Sequence, residues 1–175
     1  MAEQIPFENA RFFFGGATCS VDPQGRLVFP KVWKLPTDGE KTEFILSPGL
    51  DRSINVYSME DYNDLYRKMK TAPQDSRTQK FLSIYASHCQ KITLDKQSRF
   101  AVSEKLRKYA HLTSKAEFVG GFNYGRIFDP DHWDEIKITD KPCPELSDEE
   151  IEKLSKDDRE MLFIQKAIDF IGTLS

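Results

Sequence analysis

One five-residue pattern occurs twice in the chain, and it offers the best candidates for chemistry. The copies are Asp22-Pro23-Gln24-Gly25-Arg26 and Asp95-Lys96-Gln97-Ser98-Arg99, and each precedes a short apolar run. An arginine can donate paired hydrogen bonds to guanine or phosphate, and the glutamine adds an amide. An aspartate four positions earlier can pair with the arginine or hold the turn. A single Asp–Arg pair at this spacing usually only stabilises a turn. Because the pattern is repeated at matched turns, binding of a repeated ligand explains it equally well.

The repeat continues beyond the two turns, which predicts the architecture. Glu43-Phe44-Ile45 matches Glu117-Phe118-Val119, and residues 56–62 match residues 127–133 in their apolar and acidic positions. Each copy reads as strand, polar turn, strand, short helix, two strands and a helix. One copy alone could not cover its own strand edges, so two copies are expected to interleave into a split barrel. The predicted fold class is therefore α+β.

Helix signals divide the rest of the chain. Ser58 predicts the N-cap of a helix over 59–71, and further helices are predicted over 74–88, 103–110 and 131–136. Beyond a linker at 139–144, Ser147 and Glu150 have the spacing of a capping box. A break at 155–158 predicts a second tail helix, and the apolar spacing of this tail is amphipathic.

Charge is distributed unevenly along the chain. Residues 1–128 contain 19 basic and 14 acidic side chains, whereas residues 129–175 contain 6 and 14. A mildly basic body with an acidic tail is what a nucleic-acid-binding protein with a regulatory tail would show. If only the charge distribution is considered, an ordinary charged surface explains it at least as well. The tail either packs on a neighbouring subunit or covers the basic face and competes with DNA.

Several classes of protein are disfavoured. No apolar run approaches the length of a membrane span, the first eight residues lack a secretory core, and three cysteines fit a reducing cytoplasm. We therefore expect a cytoplasmic protein without cofactors. A zinc site is disfavoured because the candidate ligands lack the spacing of a metal site. A cysteine–histidine nucleophile is also disfavoured, because it needs spatial neighbours that the sequence does not reveal. Those candidates are Cys19, His88, Cys89, His111, His132 and Cys143.

These motifs together resemble the MraZ family of bacterial transcriptional regulators, over roughly residues 13–135. The resemblance rests on Gly15, on Asp22 to Pro30, on Arg77 to Gln90 and on Asp95 to Arg99. It also includes residues 106–112, 118–120 and the closing Phe128-Asp129 with Trp133.

The resemblance implies a fold and an assembly. It implies two tandem AbrB-like swapped-hairpin units that form a double split β-barrel with short helices, followed here by a C-terminal helical tail. We place the first unit at 11–72, a connecting helix at 73–90, the second unit at 91–138 and the acidic extension at 143–175. It also implies a closed ring of about eight subunits.

The resemblance further implies binding to repeated short boxes of double-stranded DNA, and regulation, usually repression, of the division and cell wall operon. Such a protein would be associated with the nucleoid and would be no enzyme. In this family the DNA-binding surface is assigned to the two turns, and we expect nearby lysines to contact phosphates. The expected DNA-binding residues are Asp22, Gln24, Arg26, Lys31, Lys34, Asp95, Lys96, Gln97 and Arg99.

This chain also departs from the family. Gln24 and Gln97 stand where the family usually has lysine, which should weaken phosphate attraction. A ring-shaped protein-interaction scaffold with weak or lost DNA binding is therefore the alternative. A small hydrolase or transferase is a more distant alternative, because the sequence contains no recognisable nucleophile or cofactor motif.

Overall fold

The computed structural model describes residues 11–137 and 147–173, and the chain divides after Pro130 into two compact units. The first ten residues, the predicted linker at 139–144 and Cys143 lie outside the described residues. The first unit contains all the strands described below and three α-helices, and the second contains the tail. The mixed α+β class predicted from the sequence is confirmed.

Eight strands form two antiparallel sheets in the first unit. Six strands pair in the order β1-β7-β8-β4-β3-β5, and β2 pairs with β6 in a separate two-stranded ribbon. Their bounds are β1 Gly16–Ser20, β2 Arg26–Val28, β3 Glu43–Pro48, β4 Ile54–Ser58, β5 Gln90–Thr93, β6 Arg99–Ala101, β7 Lys115–Gly120 and β8 Gly125–Phe128.

The two sequence repeats exchange strands. β1 of the first repeat pairs with β7 of the second, and β5 of the second repeat pairs with β3 of the first. The equivalent strands β4 and β8 also pair with each other in the middle of the large sheet. Equivalent strands of the two repeats therefore occupy symmetric positions in the sheet order. Each repeat covers a strand edge that the other would leave open.

An aromatic core lies beneath the ribbon. Trp33 is buried, with its indole ring 5.1 Å from the ring of Phe13, 5.9 Å from that of Phe29 and 5.4 Å from that of Phe118. Its indole N–H donates to the Phe14 carbonyl oxygen at 2.9 Å, which satisfies the polar atom of this large side chain.

Three helices of the first unit begin at capping side chains. These helices are α1 Met59–Lys70, α2 Ser76–Ala86 and α3 Glu104–Tyr109. Ser58, Asp75 and Ser103 accept hydrogen bonds from amides three residues later, which satisfies free N–H groups of the first turns. A short 3₁₀ turn at Lys31–Trp33 follows β2.

The described part of the second unit contains α4 Pro130–Ile136 from its second residue onward, α5 Asp148–Glu152 and α6 Lys156–Gly172. The predicted capping box of Ser147 and Glu150 is present, and Ser155 caps α6 where the break was predicted. Lys137 forms ion pairs with Asp134 at 3.0 Å and with Glu160 at 3.3 Å. No helix among the described residues is long and apolar enough to cross a membrane.

Candidate nucleic-acid interface

The carboxylate of Asp22 organises the first turn. Its Oδ1 accepts hydrogen bonds from the amides of Gln24 at 2.9 Å and Arg26 at 2.8 Å, and its Oδ2 accepts one from Arg26 Nε at 2.7 Å. The Gly25 amide donates to the Asp22 carbonyl oxygen at 2.8 Å, which closes the turn. One side chain therefore fixes both the backbone of the turn and the direction of the arginine.

The second turn repeats this arrangement bond for bond. Asp95 Oδ1 accepts from the amides of Gln97 at 2.9 Å and Arg99 at 2.8 Å, and Oδ2 accepts from Arg99 Nε at 2.9 Å. The Ser98 amide donates to the Asp95 carbonyl oxygen at 2.8 Å. The two alternatives for the aspartates, pairing with arginine or fixing the turn, are thus both realised in each copy.

Hydrogen bonding further favours the ionised form of both aspartates. The backbone amide of Arg26 is the main cause that lowers the pKa of Asp22 below its ordinary value, and the Arg26 side chain adds to the effect. The amide and side chain of Arg99 lower the pKa of Asp95 in the same way. A hydrogen bond to the ionised form favours that form. The turns therefore hold their arginines through charged carboxylates at neutral pH.

Both arginines lie on the outer face of the ribbon. Arg26 pairs with Ala101 and Arg99 pairs with Val28, so the two arginines occupy diagonal positions on one face. Leu27 and its partner on β6 are buried on the other face. Diagonal neighbours of an antiparallel pair lie about 7–8 Å apart. One face of a short ribbon thereby presents two arginine side chains whose backbone positions have this spacing.

The arginines remain accessible despite their ion pairs. The side chain of Arg26 is 35% exposed and that of Arg99 is 33% exposed. Each aspartate binds its arginine through Nε, and Arg26 Nη2 makes a longer contact of 3.3 Å to Gln24 Oε1. Within the described residues, the Nη atoms of Arg99 form no hydrogen bond. The terminal nitrogens are therefore available to an incoming ligand.

Each turn is completed by a cation from the opposite repeat. Lys34 of the first repeat donates from Nζ to Ser98 Oγ of the second turn at 2.7 Å. Arg107 of the second repeat packs on Gly25 of the first turn, where an added Cβ would lie 2.8 Å from the guanidinium carbon. Gly25 has a φ of 73°, a left-handed conformation that suits glycine.

Arg107 is the residue that our sequence interpretation missed. It follows Arg99 by eight positions, as Lys34 follows Arg26, so the repeat offset could have identified it. Its Nε donates to the Val102 carbonyl oxygen at 3.2 Å, which holds the side chain against the first turn. An open cleft of about 530 Å³ lies beside it, lined also by Glu104, Lys108 and His111, and Lys108 forms an ion pair with Glu104 at 2.7 Å. Arg107 thus adds a cation to the first turn that the sequence of the turn alone did not reveal.

The remaining predicted residues are spread around the ribbon. Gln24 and Gln97 are exposed at the tips of the two turns, and Lys96 is exposed beside the second of these glutamines. Lys31 is exposed on the 3₁₀ turn rather than in either repeated turn. The structure thus brings the aspartates, arginines, glutamines, Lys34 and Lys96 together at the two turns, with Lys31 more peripheral.

Alternative chemistry finds little support in the described part of the chain. No group of three or more histidine, cysteine, aspartate or glutamate side chains in that part is arranged to hold a metal ion. Burial raises the pKa of the Cys19 and Cys89 thiols. A raised pKa lowers the fraction of reactive thiolate at neutral pH.

A comparison with protein families matches residues 85–159 to the family described as "MraZ protein, putative antitoxin-like". The matched region contains the second turn, β5 to β8, α3 to α5 and the first residues of α6. The first turn lies outside it, and its equivalence to the second rests on the hydrogen bonds described above. The resemblance to the MraZ family, which the sequence motifs placed over roughly residues 13–135, is thus confirmed for the part that carries the second Asp-x-x-x-Arg turn, and the match continues beyond it to residue 159.

Proposed function

We propose that this protein is a sequence-specific DNA-binding transcriptional regulator, and that the β2–β6 ribbon is its DNA-reading element. The family match supports a regulator role. The observation that carries the proposal is the diagonal placement of Arg26 and Arg99 on one exposed ribbon face. The major groove of B-DNA admits a two-stranded β-ribbon, and arginine is the commonest specific partner of guanine there.

The geometry suggests how the ribbon reads DNA. A spacing of about 7–8 Å between diagonal residues corresponds to roughly two base-pair steps of about 3.4 Å. Each aspartate holds the guanidinium group from its Nε side, so the Nη atoms face outward with less rotational freedom to lose on binding. Arg26 and Arg99 would then contact bases, and Gln24 and Gln97 would contact neighbouring bases or phosphates.

Cations at the two ends of the ribbon would supply affinity. Lys34 and Lys96 lie at the second turn and Arg107 lies at the first, so phosphates on either side of the groove meet positive charge. Such contacts position a protein without reading sequence. Lys31 would add a peripheral phosphate contact.

We further propose the assembly and target that the family resemblance implies. The swapped hairpins would form a double split β-barrel, and about eight subunits would close into a ring. A ring would engage several repeated boxes at once, so modest single contacts would sum to high avidity. The proposed target is a set of short repeated boxes upstream of the division and cell wall operon, bound at the nucleoid and usually repressed.

The test is binding of fluorescent duplex DNA from upstream of the encoding gene, measured by anisotropy. Arg26→Ala and Arg99→Ala should each weaken binding by about tenfold or more, because one bidentate arginine–guanine contact contributes about 1–3 kcal/mol of discrimination. Arg67→Ala is the matched control, since Arg67 is exposed on α1 in an ion pair with Asp64. A folded double variant that binds as tightly as the wild type would refute the site.

The scaffold alternative makes a different prediction for salt. DNA binding through this ribbon should fall steeply between low and physiological salt, because bound cations displace counterions from DNA. A scaffold that binds an apolar protein surface would show little salt dependence. A flat salt profile together with equal binding to a scrambled duplex would therefore favour the scaffold.

A further inference from the structure

The outer face of the β2–β6 ribbon carries two apolar side chains as well as its two arginines. Val28 is 51% exposed, and Ala101 is also exposed. The residue between each of them and the arginine of the same strand is buried. Because strand residues alternate between faces, Val28 lies on the same face as Arg26, and Ala101 lies on the same face as Arg99.

Each apolar side chain is the direct cross-strand neighbour of an arginine. Ala101 stands opposite Arg26, and Val28 stands opposite Arg99. The two arginines therefore occupy one diagonal of the outer face, and the two apolar side chains occupy the other. The same arrangement occurs in both repeats, with an arginine first and an apolar residue two positions later in each strand.

The two mixed pairs are of the closely spaced kind. The Phe29 amide donates to the Ser98 carbonyl oxygen at 2.8 Å, and the Val102 amide donates to the Gly25 carbonyl oxygen at 2.9 Å. Hydrogen-bonded and non-hydrogen-bonded pairs alternate along an antiparallel ladder, so the two arginine-containing pairs are non-hydrogen-bonded. The Cα atoms of such a pair lie about 4.5 Å apart, and their side chains are close to each other.

The backbone that carries Ala101 is also held from a neighbouring strand. Gln90 Nε2 on β5 donates to the Ala101 carbonyl oxygen at 3.0 Å, and Gln90 Oε1 accepts from the Ser103 amide at 2.9 Å. One side-chain amide thus fixes the end of β6 and the residues that follow it. This part of the face is ordered before a ligand binds, which reduces the entropy cost of binding.

An apolar side chain at the centre of a DNA-reading face has a specific partner in the major groove. Val28 and Ala101 have no side-chain donor or acceptor, so they cannot form hydrogen bonds with phosphates or with polar base edges. The base edges in the major groove present donors and acceptors, and thymine adds an apolar 5-methyl group. Apolar side chains such as that of alanine read thymine through this methyl group.

We propose that Val28 and Ala101 contact the 5-methyl groups of thymines beside the bases that Arg99 and Arg26 read, an inference that rests on the proposed DNA binding of the ribbon. The Cα spacing of about 4.5 Å is close to one base step of about 3.4 Å. The two residues of each pair therefore reach the same or neighbouring base pairs. Each pair selects a guanine together with an adjacent thymine, and Val28 makes the larger methyl contact because its side chain is longer.

A purely structural role for the two residues makes a different prediction. Valine is favoured in strands, and single exposed apolar residues are common on protein surfaces. If Val28 and Ala101 served only the ribbon itself, DNA binding would not depend on the methyl groups of thymine. The presence of an apolar neighbour beside both arginines favours recognition.

The test uses duplex DNA that the full-length wild-type protein selects from a random pool. Each selected duplex is prepared with thymine and, separately, with uracil at every thymine position, which removes only the 5-methyl groups. The wild type should bind the thymine form at least about threefold more tightly, because burial of one methyl group contributes roughly that factor. Fluorescence anisotropy measures both affinities.

Three variants assign this preference to the ribbon. The double variant Val28→Ser/Ala101→Ser should bind the two forms with nearly equal affinity, and Val28→Ser alone should lose most of the preference. Ile84→Ser is the matched control, because Ile84 is 52% exposed on α2, outside the ribbon, and it should keep the wild-type ratio. Circular dichroism checks that each variant is folded. Any effect of uracil on the shape of the duplex is common to all variants, so it cancels in the comparison.

Arg99→Ala separates this inference from the proposal that the ribbon binds DNA. It should weaken binding to both forms, whereas Val28→Ser should change mainly their ratio. Equal wild-type binding to both forms, with binding still lost in Arg99→Ala, would overturn the thymine contact and leave the DNA-binding proposal intact. A wild-type ratio in the folded double variant would place methyl recognition elsewhere and would also overturn the inference. Failure of the wild type to select any duplex would overturn both proposals.

Discussion

The two turns that flank the β2–β6 ribbon are alike in their backbone and differ in what packs on them. In both, one aspartate accepts two amide hydrogen bonds and an arginine Nε hydrogen bond at 2.7–2.9 Å. In the first turn the left-handed position is Gly25, covered by Arg107. In the second it is Ser98, with a φ of 58°, hydrogen-bonded to Lys34.

The backbone conformation of each turn and the positive charge beside it therefore have different origins. The Asp-x-x-x-Arg pattern fixes the backbone locally, so the shape survives a change from glycine to serine. The covering cation comes from the opposite repeat, so it can change without disturbing the turn. The second turn also adds Lys96, whereas the first has Pro23 at that position. We therefore expect two geometrically equivalent contacts with unequal electrostatic strength.

The largest effect is expected on the buried face of the ribbon, where Leu27 and Phe100 pair with each other. Phe100→Ala should lower the free energy of unfolding by about 3–5 kcal/mol, because it leaves a large cavity against the aromatic core. Leu27→Ala should lower it by about 2–5 kcal/mol, toward the smaller end since fewer atoms are removed. Urea denaturation monitored by tryptophan fluorescence measures both.

Phe100→Leu is the control for this first prediction. It keeps most of the apolar volume, so it should cost less than Phe100→Ala if packing is the cause. Equal losses for both Phe100 variants would mean that a specific aromatic contact, such as the one with Phe29 at 6.1 Å, dominates instead.

The second prediction exchanges the left-handed residues of the two turns. Gly25→Ser should destabilise the protein by about 1–2 kcal/mol, because serine disfavours this backbone conformation and its Cβ collides with the Arg107 guanidinium group. Ser98→Gly should relieve strain but lose the hydrogen bond from Lys34, so its net effect should be smaller than about 1 kcal/mol. Thermal or urea unfolding of both variants provides the test. Equal destabilisation by the two substitutions would contradict the assigned conformations.

The third prediction concerns the covering cations and the proposed DNA binding. Arg107→Gln and Lys34→Gln should each weaken binding by less than about tenfold and reduce the salt dependence by about one counterion. Sequence discrimination should stay unchanged, since phosphate contacts carry no base information. Anisotropy titrations at several salt concentrations, with matched and scrambled duplexes, measure both quantities. Loss of discrimination in Arg107→Gln would assign that residue to base reading instead.

The sequence predicted the local features of this site better than the long-range ones. The turns, the helix caps at Ser58 and Ser155 and the capping box at Ser147 depend on neighbours within a few residues, so spacing reveals them. The position of Arg107 on Gly25 depends on strand exchange between repeats, which brings together residues 82 positions apart. No local pattern encodes that contact, although the shared offset of the repeats hints at it.

The smallest effect is expected from the turn aspartates, and it depends on pH. Both have a pKa lowered in the folded protein, so their stabilising effect is complete above the ordinary aspartate value of about 3.9 and is lost as pH falls through the lower folded value. Asp22→Asn and Asp95→Asn keep an oxygen for the amides but lose the charge that binds arginine. The stability gap between wild type and either variant should therefore be present at pH 7 and shrink below pH about 4. Urea titrations from pH 7 to pH 3 measure this gap. Because the hydrogen bonds of the two turns match, the stability gaps of the two variants should close over the same pH range. If the gap closed for only one variant, the turns would be equivalent in geometry but not in energy.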